Sequence, residues 1–135
     1  MKSSSSLSRQ TFGMMIGLGV QYVLGMATNL YAAFPTSGDA RVMWEYAKTQ
    51  PLVMAHIIIG TLLLVGAIAL CVQGYKSKNR TWQISSFLGL IAIGFSWLSG
   101  ERFVSTQQDV FSLSMAVGFI AAILAYAWGI YSAST

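Results

Sequence analysis

Apolar residues in this chain fall into four long runs rather than at amphipathic spacing. Between residues 52 and 72 the conventional polar groups are His56, Thr61 and the thiol of Cys71. Comparable runs cover 11–34, 82–103 and 110–131, and apart from Glu101 and Arg102 none of the four holds an Asp, Glu, Lys or Arg. A hydrocarbon core about 30 Å thick takes roughly 20 residues of helix to cross. The pattern therefore predicts an all-α membrane protein with transmembrane helices at 11–34, 51–75, 82–103 and 110–131. Residues 1–10 form a polar, serine-rich tail, and 11–135 a single four-helix domain.

The breaks between the runs are short. Pro35-Thr36-Ser37-Gly38 ends the first helix, and Asp39 is placed to cap a short helix over residues 40–48. There Arg41 and Glu45 stand four apart and are expected to pair, while Trp44 and Tyr46 carry rings suited to the headgroup level. That piece is expected to lie along the membrane surface. Pro51 suits the first turn of the next helix, where a missing N–H costs nothing. Residues 74–80 read as a basic turn and 104–109 as a polar connection. Loops this short make successive helices antiparallel neighbours, an up-down-up-down bundle.

Composition agrees with the pattern. The 135 residues are 55% hydrophobic and 9% charged, against about 25% charged in a soluble domain. An ordinary water-coated core is excluded. The net charge of +4 is spread too thinly for a nucleic-acid patch and reads instead as topology. Lys2, Arg9, Lys76, Lys78 and Arg80 fall on one side, five of the eight basic residues. Arg41, Lys48 and Arg102 fall on the other, with all four acids. Basic residues stay inside, so both termini are expected to be cytoplasmic in a multi-pass cell-membrane protein. The apolar stretch after the tail is about 24 residues, longer than the 7–15 of a signal-peptide core, so the first helix is read as retained. The lone Cys71 allows no disulfide within the chain and reads as a small buried hydrophobe.

Small residues mark candidate packing faces. Gly13 and Gly17 are one turn apart, as are Ser114 and Gly118, and such spacing lets helix backbones approach closely in lipid. Gln21, near mid-span, and Asn29, near the helix end, are expected to bond to a neighbouring helix or carbonyl. Cys71 aside, the candidate chemistry gathers at the outer mouth. His56 sits roughly 6–8 Å inside its boundary. Asn29 lies at similar depth, Glu101 and Arg102 end the third helix there, and Trp97 is one turn below Glu101. An ionisable group inside a span is a candidate functional site. The plainer expectation is a neutral His56 bonded to Asn29, Glu101 or a carbonyl and fixing helix register.

Other chemistries find little to stand on. One histidine cannot give bis-histidine haem ligation within one chain, although His56 with a methionine such as Met26 remains an option. Small multidrug transporters of this size use a glutamate in the first helix, which has no acid here, and the glycine–arginine motif of fluoride channels has no counterpart. No metal-ligand spacing, nucleotide loop or paired carboxylate within a helix occurs, so no enzyme activity is expected. The pattern Asn29-Leu30-Tyr31, Pro35, then His56 and Gly60 resembles small uncharacterised prokaryotic four-helix integral membrane proteins, which implies the fold and no activity. The expected role is an accessory subunit that packs against and stabilises a larger membrane complex or self-associates. The alternatives are a binder of haem, quinone or lipid around His56 and an oligomeric four-helix transporter or channel.

Overall fold

The computed structural model describes residues 2–35 and 39–134, with side chains at 6–35 and 39–133. These form five helices: α1 Lys2–Tyr31, α2 Ala40–Thr49, α3 Pro51–Lys76, α4 Arg80–Thr106 and α5 Asp109–Ser134. Four are long and apolar enough to cross a membrane. A 26-residue helix such as α3 runs about 39 Å, more than the roughly 30 Å of a hydrocarbon core.

The ends differ from the hydropathy boundaries because caps, not hydrophobicity, terminate helices. The stretch read as a polar tail is helical from Lys2 and continuous with the first span. Leu7 and Thr11 are buried, which ties it to the bundle. At the other end α1 stops at Tyr31 rather than Phe34, since the residue before Pro35 is pushed out of the helical region. Residues 36–38 of the expected stop lie outside the described residues. Asn79 caps α4 by accepting from the N–H groups of Thr81 and Trp82, and Gln107 closes it in the left-handed conformation, with φ of 56°. Asp39 caps α2 as expected, accepting from Arg41 N–H. Glu45, however, pairs with Lys48 at 2.9 Å and not with Arg41. A glutamate on the N-terminal side of its cation is the favoured order against the helix dipole, and Arg41–Glu45 is the reverse.

Around the bundle α1 packs on α3 and α5, α4 packs on the same two, and α2 lies on α3 and α4. One spacing organises all four long helices. Residues 7, 11, 14, 18, 21, 25 and 28 of α1 face inward, in alternating steps of four and three. The same steps run through 53, 56, 60, 63, 67, 70 and 74 of α3, 82, 86, 89, 93, 96 and 100 of α4, and 115, 119, 122, 126, 129 and 133 of α5. A mean step of 3.5 residues keeps a seam facing its neighbours and gives coiled-coil-like packing. The opposite faces are apolar and open. Leu62, Val65, Leu113 and Leu124 are each about three-fifths exposed, a surface suited to acyl chains rather than to water. The interior meanwhile holds Thr11, Gln21, Thr28, Ser85, Ser86, Ser96 and Ser99.

The tightest contact, α4 on α5, depends on serines seated over glycines. A Cβ on Gly118 would meet Ser96, and a Cβ on Gly129 would meet Ser85. The two serines are eleven residues apart and so are the two glycines, about three helical turns in each case. Ser85 Oγ donates to Ala125 O at 2.8 Å and Ser96 Oγ to Met115 O at 3.0 Å, both across the interface. Ser86 and Ser99 instead bond back within α4, the ordinary habit of serine in a helix.

Gly118→Ala places a methyl 2.9 Å from the Ala92 carbonyl oxygen, a backbone atom that cannot rotate aside. It is expected to cost about 1–3 kcal/mol by overpacking. At Gly13 no atom of the described residues beyond the adjoining helix lies within 4 Å of where a methyl would stand, so Gly13→Ala should be neutral or gain up to about 1 kcal/mol from helix propensity. Unfolding in mixed micelles, followed by circular dichroism, measures both. Equal stability of the two variants would contradict this register.

Candidate functional site

The seam is filled at one end and empty at the other. At the filled end Tyr126 lies against Gly89 and Trp82 near Gly129, with Leu7, Met14, Leu18, Ala67 and Leu70 closing the core. Beyond Gln21 the seam offers Gly25 on α1, Gly60 on α3 and Gly100 on α4, and no inward tryptophan or tyrosine fills the space they leave. A cavity of about 210 Å³ results, walled by residues from all five helices. Ile93 and Phe119 form its floor and are shared with the core. Phe34, Trp44 and Phe103 lie on its wall at the α2 end. Phe34 is held there by ring contacts, its centroid 5.7 Å from Tyr46 and 5.5 Å from Phe103.

Two polar residues cross over two glycines where α1 meets α3. A Cβ at Gly25 would lie 2.9 Å from His56 Cε1, and a Cβ at Gly60 2.9 Å from Gln21 Nε2. Each helix thus supplies a polar side chain and, four residues on, the hole that receives its partner's. Gln21 Nε2 donates to the backbone carbonyl of His56 at 2.7 Å. Only the amide nitrogen can donate to a carbonyl, so this bond sets the amide orientation. It leaves Gln21 Oε1 buried without a partner, and His56 Nδ1 is in the same state. Further along, Leu63 packs on Gly17 and Met14 on Gly66.

The residues singled out from sequence are distributed as follows. Asn29, His56, Trp97 and Glu101 all line the cavity, Asn29, Trp97 and Glu101 from exposed positions, whereas Arg102 is exposed and absent from its wall. The His56 ring does not fix register by a hydrogen bond from Nδ1. It does so by packing on Gly25, while its carbonyl takes the bond from Gln21. Trp97 Nε1 donates to Thr61 Oγ1 at 3.3 Å, tying α4 to α3 beside the mouth. Among the packing candidates, Gly17 and Gly118 sit in helix contacts. Gly13 faces open space within this chain, and Ser114 bonds back to Val110 O at 2.8 Å.

Sequence reasoning misses Gln21 as part of the site and passes over the Phe34–Trp44–Phe103 wall. The signal for the first is present, because Gln21–Gly25 and His56–Gly60 share a four-residue spacing. Among the described residues no group of three or more His, Cys, Asp or Glu side chains could hold a metal ion. No protein-family model, curated protein or solved structure matches the chain.

The two kinds of contact at the crossing separate by magnitude. A side-chain hydrogen bond between membrane helices is worth about 0.6 kcal/mol on average, and Gln21→Leu also removes an unpartnered buried oxygen. Its expected cost in micellar unfolding is under about 1 kcal/mol. Gly60→Leu drives a branched side chain into Gln21 and should cost about 1–3 kcal/mol or more. A Gln21→Leu variant less stable than Gly60→Leu would mean that the bond, not the close approach, holds α1 to α3.

Proposed function

We propose that the chain is a multi-pass membrane protein that holds a small lipophilic molecule in the cavity between its helices. The observation that carries this reading is the void itself. Four helices that pack closely over half their length leave about 210 Å³ unfilled over the other half, bounded by aromatic rings and a few polar atoms. Ligand sites have that make-up, a mostly apolar concavity with a small number of placed polar groups. The volume is below the roughly 300–1,000 Å³ of drug-sized sites, which suits a small molecule or one end of a longer lipid. In the bilayer the helices run up-down-up-down, with both termini on the cytoplasmic side and α2 at the outer interface over the cavity mouth. The charge asymmetry of the connections supports that orientation.

A second reading, an accessory subunit of a larger membrane complex or a self-associating chain, is favoured by Gly13, Gly19 and Gly94. Apart from the adjoining stretch of their own helix, no described residue has an atom within 4 Å of where their methyls would stand, and outward glycines permit close approach of another helix in lipid. The two readings are compatible, since a subunit can carry a ligand.

Purification in lipid nanodiscs, followed by native mass spectrometry and solvent extraction, tests both. A stoichiometric small molecule is expected in the wild type. Ser112→Phe fills the cavity wall and should lower occupancy at least about tenfold, which is about 1.4 kcal/mol, without loss of helix content. Protein free of any small molecule, with no thermal shift across apolar ligands, would overturn the ligand reading. Stoichiometric polypeptides in the preparation would favour the subunit reading. His56 and Met26 both line the cavity, so a Soret band lost in His56→Ala would make the bound molecule a haem.

A further inference from the structure

We propose that the cavity selects a protonated lipophilic amine, an inference that rests on the cavity being a ligand site. The argument is one of donors and acceptors. The donors of the three fully buried polar residues on the wall are already used. Gln21 Nε2 bonds to His56 O, Thr28 Oγ1 to Leu24 O, and Ser96 Oγ to Met115 O. Two buried polar atoms of wall residues have no partner, Gln21 Oε1 and His56 Nδ1. The first is an acceptor in any state, and the second is one in the tautomer that carries its proton on Nε2. Gln21 is 1% exposed, so its oxygen meets a donor only when the side chain shifts toward the void. A buried acceptor without a donor costs about 1–3 kcal/mol, and a ligand N–H or O–H that draws the amide outward recovers part of that cost.

Charge narrows the class further. Glu101 is the sole formally charged residue on the wall; no lysine or arginine lines it, although the chain as a whole carries +4. Among the described residues the ion pair is Lys48–Glu45, and Glu101 takes no part in it. Trp97 and Thr61 are bonded to each other, which puts Glu101, one turn beyond Trp97, level with the His56 turn of α3. The acid and the histidine therefore belong to the same layer, with Gln21 one turn deeper opposite Gly60. Aromatic rings surround this layer: Tyr22, Phe34, Trp44, Trp97 and Phe103 all line the cavity. Aromatic faces attract cations, by roughly 0.5–2 kcal/mol each as solvent is excluded. Acceptors at depth, one carboxylate and an aromatic wall together fit an ammonium group attached to an apolar body. An anion would meet Glu101 with no cation on the wall to offset it. A ketone or quinone carries no positive charge to answer Glu101.

Three probes that share one ring and differ in the head group test this: phenethylamine, phenethyl alcohol and phenylacetate. Calorimetric titration into protein in phosphatidylcholine nanodiscs, with empty nanodiscs subtracting partition, gives each affinity. Phenethylamine is expected to bind at least about tenfold more tightly than phenethyl alcohol, and phenylacetate weakest of all. In Glu101→Gln the amine-to-alcohol ratio should fall to within about threefold. In Glu45→Gln and Asp109→Asn, whose carboxylates are off the wall, it should keep its wild-type value. Gln21→Leu should weaken both donors. An alcohol that binds as well as the amine, or a ratio that survives Glu101→Gln, would overturn the inference and leave a neutral-ligand cavity standing. If none of the three binds and Ser112→Phe changes nothing, the ligand reading itself fails.

Discussion

Every feature of this molecule depends on how closely its helices approach one another in a medium that gives no hydrophobic reason to do so. Lipid tails are as apolar as leucine, so association falls to van der Waals contact and a few hydrogen bonds. The chain achieves contact by placing glycine on an inward seam and a small or flat side chain opposite. Ser96 sits over Gly118, Ser85 over Gly129, Tyr126 over Gly89, and His56 and Gln21 over Gly25 and Gly60. In such pairs the serine hydroxyl or amide reaches a carbonyl of the neighbouring helix because the missing Cβ lets it come near. Hydrogen bond and close packing share one cause, and a methyl at the glycine removes both.

The same device explains where the cavity is. A seam rich in glycine closes only if something large fills the holes. At one end Trp82 and Tyr126 do so. At the other the occupants are Gln21, Thr28, Val53, His56 and Ser96, which are too small or too committed to carbonyls to span the gap. The α2 helix then completes the enclosure from outside the seam. Met43 and Ala47, one turn apart and 1% and 2% exposed, press it onto the ends of α3 and α4. Gln107 Nε2 meets the Met43 sulfur there. Trp44, on the next position, is thereby carried to the cavity wall.

The four apolar helices are legible in the sequence because length and hydropathy suffice to mark them. Their inward faces are harder to read. In a chain apolar all round, the contrast between core and surface positions vanishes, and the 3.5-residue seam survives mainly as a spacing of small and polar residues. Gly13–Gly17 and Ser114–Gly118 are conspicuous as one-turn pairs, yet it is Gly17 and Gly118 that receive a neighbouring helix, while Gly13 faces outward and Ser114 bonds back within α5. The longer rhythm, Ser85 to Ser96 against Gly118 to Gly129, needs two helices compared in opposite senses before it means anything. At the candidate site, His56, Asn29, Trp97 and Glu101 stand out because polar residues near a boundary are rare. Arg102 stands out equally and lies off the wall, since adjacent helical positions point about 100° apart. Gln21 looks like ordinary interhelical glue, because sequence shows neither the glycine beneath it nor the oxygen left over.

That leftover oxygen is the feature least explained by stability. A core built only for packing could place leucine at position 21 and lose little, since one interhelical bond in a membrane offsets only part of the cost of an unpartnered acceptor. The same holds for His56 Nδ1, one turn toward the mouth. Two such atoms in residues of one wall, which also carries Glu101 and no lysine or arginine, leave buried acceptors at this end of the bundle without donors. A low-dielectric setting raises the penalty for that deficit and raises equally the gain when a donor arrives. Water alone can supply O–H groups, but not the positive charge or the apolar body that the carboxylate and the rings accommodate. The polarity left over in the wall is therefore better understood as half of an interaction than as a defect of packing.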